Sequence, residues 1–122
     1  MKVMVIDDSG VMRRIHINVL KDRQIEAEIL EAEDGQKALE LAQVNHVDLF
    51  LVDWNMPKLD GLELVKTLRL IDEYAETPII MITSEAARYN VVEAIQAGVT
   101  NYIVKPIKGR LIWEKIGKYF EA

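Results

Sequence analysis

The chain has 122 residues, 50% of them apolar and 29% charged, a balance that suits one folded domain and excludes intrinsic disorder. Fifteen basic residues stand against twenty acidic ones, for a net charge of −5, and there is no cysteine. A disulfide scaffold, a thiolate metal site and cysteine catalysis are excluded together, and so acidic a chain is a poor non-specific ligand for nucleic acid or an anionic membrane.

The first apolar run, residues 3–6, is cut off by Asp7, too short for a signal peptide. Further runs cover 49–52, 79–82 and 102–104. All four are continuous rather than alternating, which predicts parallel strands covered on both faces. Residues 26–32 alternate only in part, as an edge strand does. Nowhere do apolar residues run for the roughly 18 positions that a membrane span needs.

Helical spacing fills the intervals. Val11, Ile15, Val19 and Leu20 predict one face of a first helix, capped by Asp8 or Ser9. Ala38, Leu41 and Ala42 mark a second, entered through Asp34-Gly35, and Leu62, Val65, Leu68 and Ile71 a third, entered through Asp60-Gly61. Val91, Val92, Ile95 and Gln96 predict a fourth that stops at Gly98, and Ile112, Ile116, Tyr119 and Phe120 a fifth. The order is βαβαβαβαβα. Right-handed crossovers turn it into an α/β fold, a five-stranded doubly wound parallel sheet with helices on both faces. With the most apolar strands central, the expected strand order is 2-1-3-4-5, the flavodoxin-like arrangement, with its crevice at the carboxyl ends of the strands.

The residues at those ends are Asp7 and Asp8 after the first strand, Asp53 after the third, Thr83 and Ser84 after the fourth, and Lys105 after the fifth. Taken singly, each has an ordinary explanation as a helix cap, a loop residue or a solvated charge. Taken together they do not, because one Lys cannot neutralise three converging carboxylates. A hard divalent ion with oxygen ligands can, and Mg²⁺ fits a site of two or three carboxylates, a backbone carbonyl and waters. With a hydroxyl and an ammonium opposite the metal, the ingredients are those of phosphoryl transfer to an Asp. The pattern alone does not say which aspartate is the acceptor, although Asp7 and Asp8 serve better jointly as ligands.

Asp7-Asp8, Asp53-Trp54-Asn55-Met56-Pro57, Asp60-Gly61, Thr83, Ala97-Gly98 and Tyr102-Ile103-Val104-Lys105-Pro106 together resemble the receiver domain of two-component response regulators. The likeness runs through the whole chain, and the Asp-Trp-Asn-Met-Pro segment and Met12-Arg13-Arg14 point to the chemotaxis branch. It implies one receiver domain over 1–122, cytoplasmic and monomeric, without an output domain. Asp53 would be the phosphoacceptor, served by a sensor histidine kinase, in a signalling module that catalyses only its own phosphorylation and dephosphorylation. Asp8 and Asp53 would hold Mg²⁺ through their carboxylates, Asp7 through a water and Asn55 through its backbone carbonyl. Lys105 would contact the phosphoryl oxygens, Thr83 would turn its hydroxyl toward them, and Tyr102 would swing inward as the switch. Asn55 and Glu85 would set the phosphoryl lifetime. The implied partners are a flagellar motor switch protein and a phosphatase.

Trp113, one position off the stripe of the fifth helix, is either an anchor on that output surface or a cover for the helix flank. Arg88 and Tyr89 join the same surface or form a solvated face. His16 and His46 read as ordinary surface or boundary residues with no second ligand nearby. Three other functions compete with this one. A phosphorelay intermediate would pass the phosphoryl group on to another histidine. A flavin-binding electron carrier needs a phosphate loop that Asp7-Asp8-Ser9 does not supply. A dehalogenase-type hydrolase needs Asp-x-Asp and a cap insertion.

Overall fold

The apolar runs lie side by side as a parallel sheet in the order β2-β1-β3-β4-β5, as the sequence predicts. The computed structural model describes residues 1–84, 88–105 and 109–120, of which 88 and 89 by backbone alone. The strands are β1 (Lys2–Ile6), β2 (Glu28–Ala32), β3 (Leu49–Val52), β4 (Ile79–Thr83) and β5 (Asn101–Val104). The helices between and after them are α1 (Gly10–Asp22), α2 (Gly35–Val44), α3 (Gly61–Arg69), α4 (Arg88–Ala97) and α5 (Gly109–Ile116).

Alternation along the strands divides the core into two layers. Met4, Ile6, Phe50, Val52, Ile79 and Met81 pack against Ala38, Ala42, Leu64, Leu68 and Ala94 on the α2–α3–α4 side. Val3, Val5, Leu49, Leu51, Ile80, Ile82 and Ile103 pack against Ile17, Leu20, Ile112 and Ile116 on the α1–α5 side. Three helices start on side-chain caps, which occupy backbone donors that have no partner within the helix. Ser9 accepts from the Met12 N–H at 3.2 Å, Asp34 from Lys37 at 2.8 Å and Asp60 from Glu63 at 2.9 Å. Gly98, at φ +114°, ends α4, with its own N–H on Ile95 and the Val99 N–H on Ala94.

Two helical faces differ from expectation. In α1 the buried residues are His16, Ile17 and Leu20, whereas Val11 is 71% exposed and Ile15 also faces outward. In α4 the buried positions are Asn90 and Ala94, one turn apart, and Val92 and Ile95 are exposed. Both helices carry apolar residues on two sides, so spacing alone does not set the phase. The inner side of α4 is the one with a residue small enough for close approach to the sheet.

Candidate functional site

Asp7, Asp53 and Lys105 stand two residues beyond Val5, Leu51 and Ile103, so the pleat keeps them on the α1–α5 side of the sheet. Ladder hydrogen bonds carried one step past the strand ends fix their backbones. The Asp7 N–H donates to Ala32 at 3.1 Å, Asp53 to Ile6 at 2.9 Å and Lys105 to Thr83 at 2.9 Å. The three side chains then meet. Lys105 Nζ lies 3.0 Å from Asp7 Oδ2 and 3.4 Å from Asp53 Oδ1. Asp7 Oδ1 accepts from the Ser9 N–H at 3.0 Å, and Asp53 Oδ1 from the Trp54 N–H at 3.0 Å.

Both aspartates are buried, Asp7 to 1% exposure and Asp53 to 7%, while Asp8 is open to solvent. Burial pushes the Asp53 carboxyl up to about 6, and the neighbouring Asp7 charge adds to the rise. Lys105 and the Trp54 N–H pull in the other direction. Asp7, Asp8 and Asp53 each offer an oxygen within 4.8 Å of the others. With carboxylates alone as donors and one ammonium against three negative charges, the cluster fits a hard divalent cation.

Thr83, fully buried at the end of β4, pairs in register with Val104, and Met81 pairs with Tyr102. Thr83 and the half-buried Tyr102 therefore lie on the same face of the sheet, diagonal to each other, on the side opposite Lys105. Asn55 is exposed in the loop two residues after Asp53. Glu85 and the side chains of Arg88 and Tyr89 lie outside the described residues.

Trp113 does not join Tyr102. Its ring lies against Gly117 and lines a groove with Arg23, Gln24, Ile25 and Tyr119. On the flank of α5 toward the start of β5 stands Lys115, whose Nζ is 3.4 Å from Asn101 Oδ1. Residues two apart on a helix point to opposite flanks, so Trp113 faces the end of α1.

His16 departs from its expected placement, whereas His46 lies at the surface as expected but has carboxylate partners there. His16 is 2% exposed, and its Nε2 has no hydrogen-bond partner among the described residues. Burial lowers its pKa to about 4. His46 is exposed but held between two carboxylates, with Glu73 at Nδ1 and Asp48 Oδ1 3.3 Å from Nε2, and the Glu73 hydrogen bond raises its pKa.

Sequence reasoning passed over Arg13 except as part of a motif. Its guanidinium donates from Nη1 to the Asp7 carbonyl at 2.7 Å and from Nε to Glu31 at 3.1 Å. The available signal was a cation near the start of a helix, where the helix dipole disfavours it.

A five-stranded doubly wound sheet with a buried acid pair, a lysine and a threonine at its carboxyl edge defines a phosphoryl-receiving class of protein. The chain belongs to the response regulator receiver domain family, which it matches over residues 3–117. It is 42% identical to the chemotaxis protein CheY-3 of Vibrio cholerae serotype O1 over 121 residues, 99% of this chain and 92% of that protein. It is 46% identical to the chemotaxis protein CheY homolog of Campylobacter jejuni over 117 residues, 95% of this chain and 89% of that one. The structure of Vibrio cholerae chemotaxis protein CheY4 superimposes with a TM-score of 0.88 at 33% identity, covering 97% of each chain. The chain is thus a response-regulator receiver, a signalling module, and neither the relay, the flavin nor the dehalogenase alternative is favoured. Among the described residues no helix is long and apolar enough to cross a membrane.

Proposed function

We propose that residues 1–122 form a chemotaxis-type receiver domain that accepts a phosphoryl group from a sensor histidine kinase on Asp53. A carboxylate oxygen of Asp53 attacks phosphorus in line. The new P–O bond replaces the P–N bond of the phosphohistidine, and the bonding pair leaves with the imidazole nitrogen. The observation that carries this reading is the buried Asp53 carboxylate, shared between Lys105 and the Trp54 N–H beside two further acids.

Asp8 and Asp53 would hold Mg²⁺ through their carboxylates, Asp7 through a water and Asn55 through its backbone carbonyl. The ion supplies charge neutralisation at the phosphoryl oxygens. Lys105 neutralises a further oxygen, and its contact with Asp7 keeps the ammonium in place beforehand. Thr83 directs its hydroxyl at the phosphoryl group, and Tyr102 follows inward on the same face. Asn55 and Glu85 flank the acceptor and set how fast water reaches the acyl phosphate. The module turns over only its own phosphorylation and dephosphorylation.

The output surface comprises Arg88, Tyr89 and Tyr102, without Trp113. The exposed Val92 and Ile95 of α4 and Val104 of β5 give it apolar contact area for a partner. The chemotaxis names of the relatives support a flagellar motor switch protein as that partner; a phosphatase to end the signal, a cytoplasmic location and a monomeric receiver complete the proposal.

The test is intact mass after incubation with acetyl phosphate, with and without Mg²⁺. A gain of about 80 Da that requires Mg²⁺ and disappears in Asp53→Asn is the expected result. An adduct that survives in the variant would reject Asp53 as acceptor.

A further inference from the structure

We propose that Arg13 is a positioning residue for the metal ligand Asp8, acting through the peptide that joins Asp7 to Asp8. The inference rests on the metal-dependent phosphoryl-transfer reading above.

Every polar group of Asp7 is held. Its N–H donates to Ala32 at 3.1 Å, Oδ1 accepts from Ser9 at 3.0 Å and Oδ2 accepts from Lys105 at 3.0 Å. The remaining group, the carbonyl, accepts from Arg13 Nη1 at 2.7 Å, the shortest of the four. Asp8 is different: its side chain is exposed, and its carboxylate makes no hydrogen bond or ion pair among the described residues. With no side-chain contact to hold it, Asp8 is positioned through its backbone alone. A peptide unit is planar, so fixing the Asp7 carbonyl also fixes the Asp8 nitrogen and α-carbon.

Arg13 is itself anchored. Its Nε donates to Glu31 Oε1 at 3.1 Å, and Glu31 lies on β2 in register with Val5 of β1. The planar guanidinium thus spans from the edge strand β2 to the end of its neighbour β1 through two separate nitrogens, a geometry that an ammonium cannot reproduce. It lies across the start of α1, where Nη2 comes 3.4 Å from the point at which a β-carbon on Gly10 would stand. Helix stability does not explain a cation there. The dipole opposes it, and α1 has no acidic residue in its first turn to offset the charge.

The two ways in which Arg13 can influence a bound cation have opposite signs. Through space, its positive charge repels the ion, so removing it strengthens binding. Through the peptide, removing it loosens Asp8 and weakens binding, as losses among groups that orient metal ligands typically do by about 10-fold or more.

The experiment is a Mg²⁺ titration followed by Trp54 fluorescence on the full chain, for wild type, Arg13→Met, Arg13→Lys and Glu31→Gln. Acetyl phosphate labelling and metal-free thermal unfolding are measured in parallel. Arg13→Met is expected to raise the Mg²⁺ Kd by about 10-fold, with labelling slowed at low Mg²⁺ and restored at saturation. Arg13→Lys keeps the charge and is expected to weaken binding as well; Glu31→Gln should fall between wild type and Arg13→Met. Unchanged or tighter Mg²⁺ binding in Arg13→Met, or wild-type binding in Arg13→Lys, overturns the proposal while leaving the metal site intact. If Arg13→Met does not fold, Arg13→Lys, which keeps the charge and loses only the two-nitrogen geometry, carries the same test. A wild-type chain that neither responds to Mg²⁺ nor gains the phosphoryl mass overturns the site reading, and this inference with it.

Discussion

Gly61 lies so close to Asp53 that a β-carbon on it would stand 2.1 Å from the Asp53 carbonyl oxygen. The Gly61 N–H donates to the Trp54 carbonyl at 2.8 Å, and Asp60 caps the same helix. The start of α3 is thereby pressed against the backbone that carries the acceptor. Gly61→Ala must displace residues 53 and 54, and displacing a reacting group by a fraction of an ångström is costly. The expected outcome is a loss of phosphoryl labelling of about 10-fold or more and a destabilisation of about 1–3 kcal/mol, read by intact mass and urea unfolding. Gly109→Ala serves as control, because among the described residues the nearest atom to its β-carbon would be Val19 Cγ1 at 3.8 Å, an ordinary contact.

Asp53 makes the metal-free protein less stable as pH rises. Its folded pKa of about 6 exceeds the ordinary 3.8, so between those values the folded state binds more protons than the unfolded one. Stability from this group falls across that window and is flat above it. Asp53→Asn is expected to remove this slope and to stabilise the metal-free protein at pH 7.5 by about 3 kcal/mol. Mg²⁺ should stabilise the wild type at pH 7.5 and have little effect on the variant. A wild type and variant with identical pH–stability curves in urea would refute the assignment.

His16 acts with the opposite sign. Its folded pKa of about 4 lies below the ordinary 6.5, so the unfolded state binds the extra proton between those values. Stability from His16 is therefore complete above pH 6.5 and is lost as pH falls toward 4. His16→Leu removes both this acid sensitivity and a buried ring nitrogen that lacks a partner among the described residues. The variant is expected to be more stable than wild type at pH 7 by about 1 kcal/mol and further ahead at pH 5. Thermal melts across that range decide it; a variant that loses stability equally at every pH counts against the account.

Arg69 ties the ends of two helices to the start of β4. Its guanidinium donates twice to Gly98, once each to the carbonyls of Tyr74 and Thr77, and once to the Thr100 hydroxyl. Arg69→Met strips these acceptors of their donors, and a loss of about 2–4 kcal/mol is expected in urea unfolding. Arg69→Lys, with a single ammonium for acceptors set in a plane, should recover less than half of it. Labelling with acetyl phosphate at low temperature should be unaffected in both, because Arg69 sits at the end of the sheet away from Asp53.

The sheet and the acid cluster were legible in the sequence because two simple patterns coincide. Continuous apolar runs separated by helical intervals leave essentially one topology, and that topology brings Asp7, Asp53 and Lys105 to one edge regardless of side-chain detail. Helix phase was legible only where apolar residues occupy a single side, as in α3 and α5. In α1 and α4, which carry such residues on both flanks, packing against the sheet selected His16 and Ala94 for the interior and left Val11, Val92 and Ile95 outside.

By itself, then, the sequence determined the fold, the acceptor candidates and the oxygen-only donor set, all of which follow from residue type and period. Only the tertiary structure decided that Trp113 turns from Tyr102 toward α1, that His46 bridges Asp48 and Glu73, and that Arg13 holds the Asp7 carbonyl. Those relationships join segments far apart in the chain or depend on the rotation of a helix about its axis, and neither leaves a periodic trace in the order of residues.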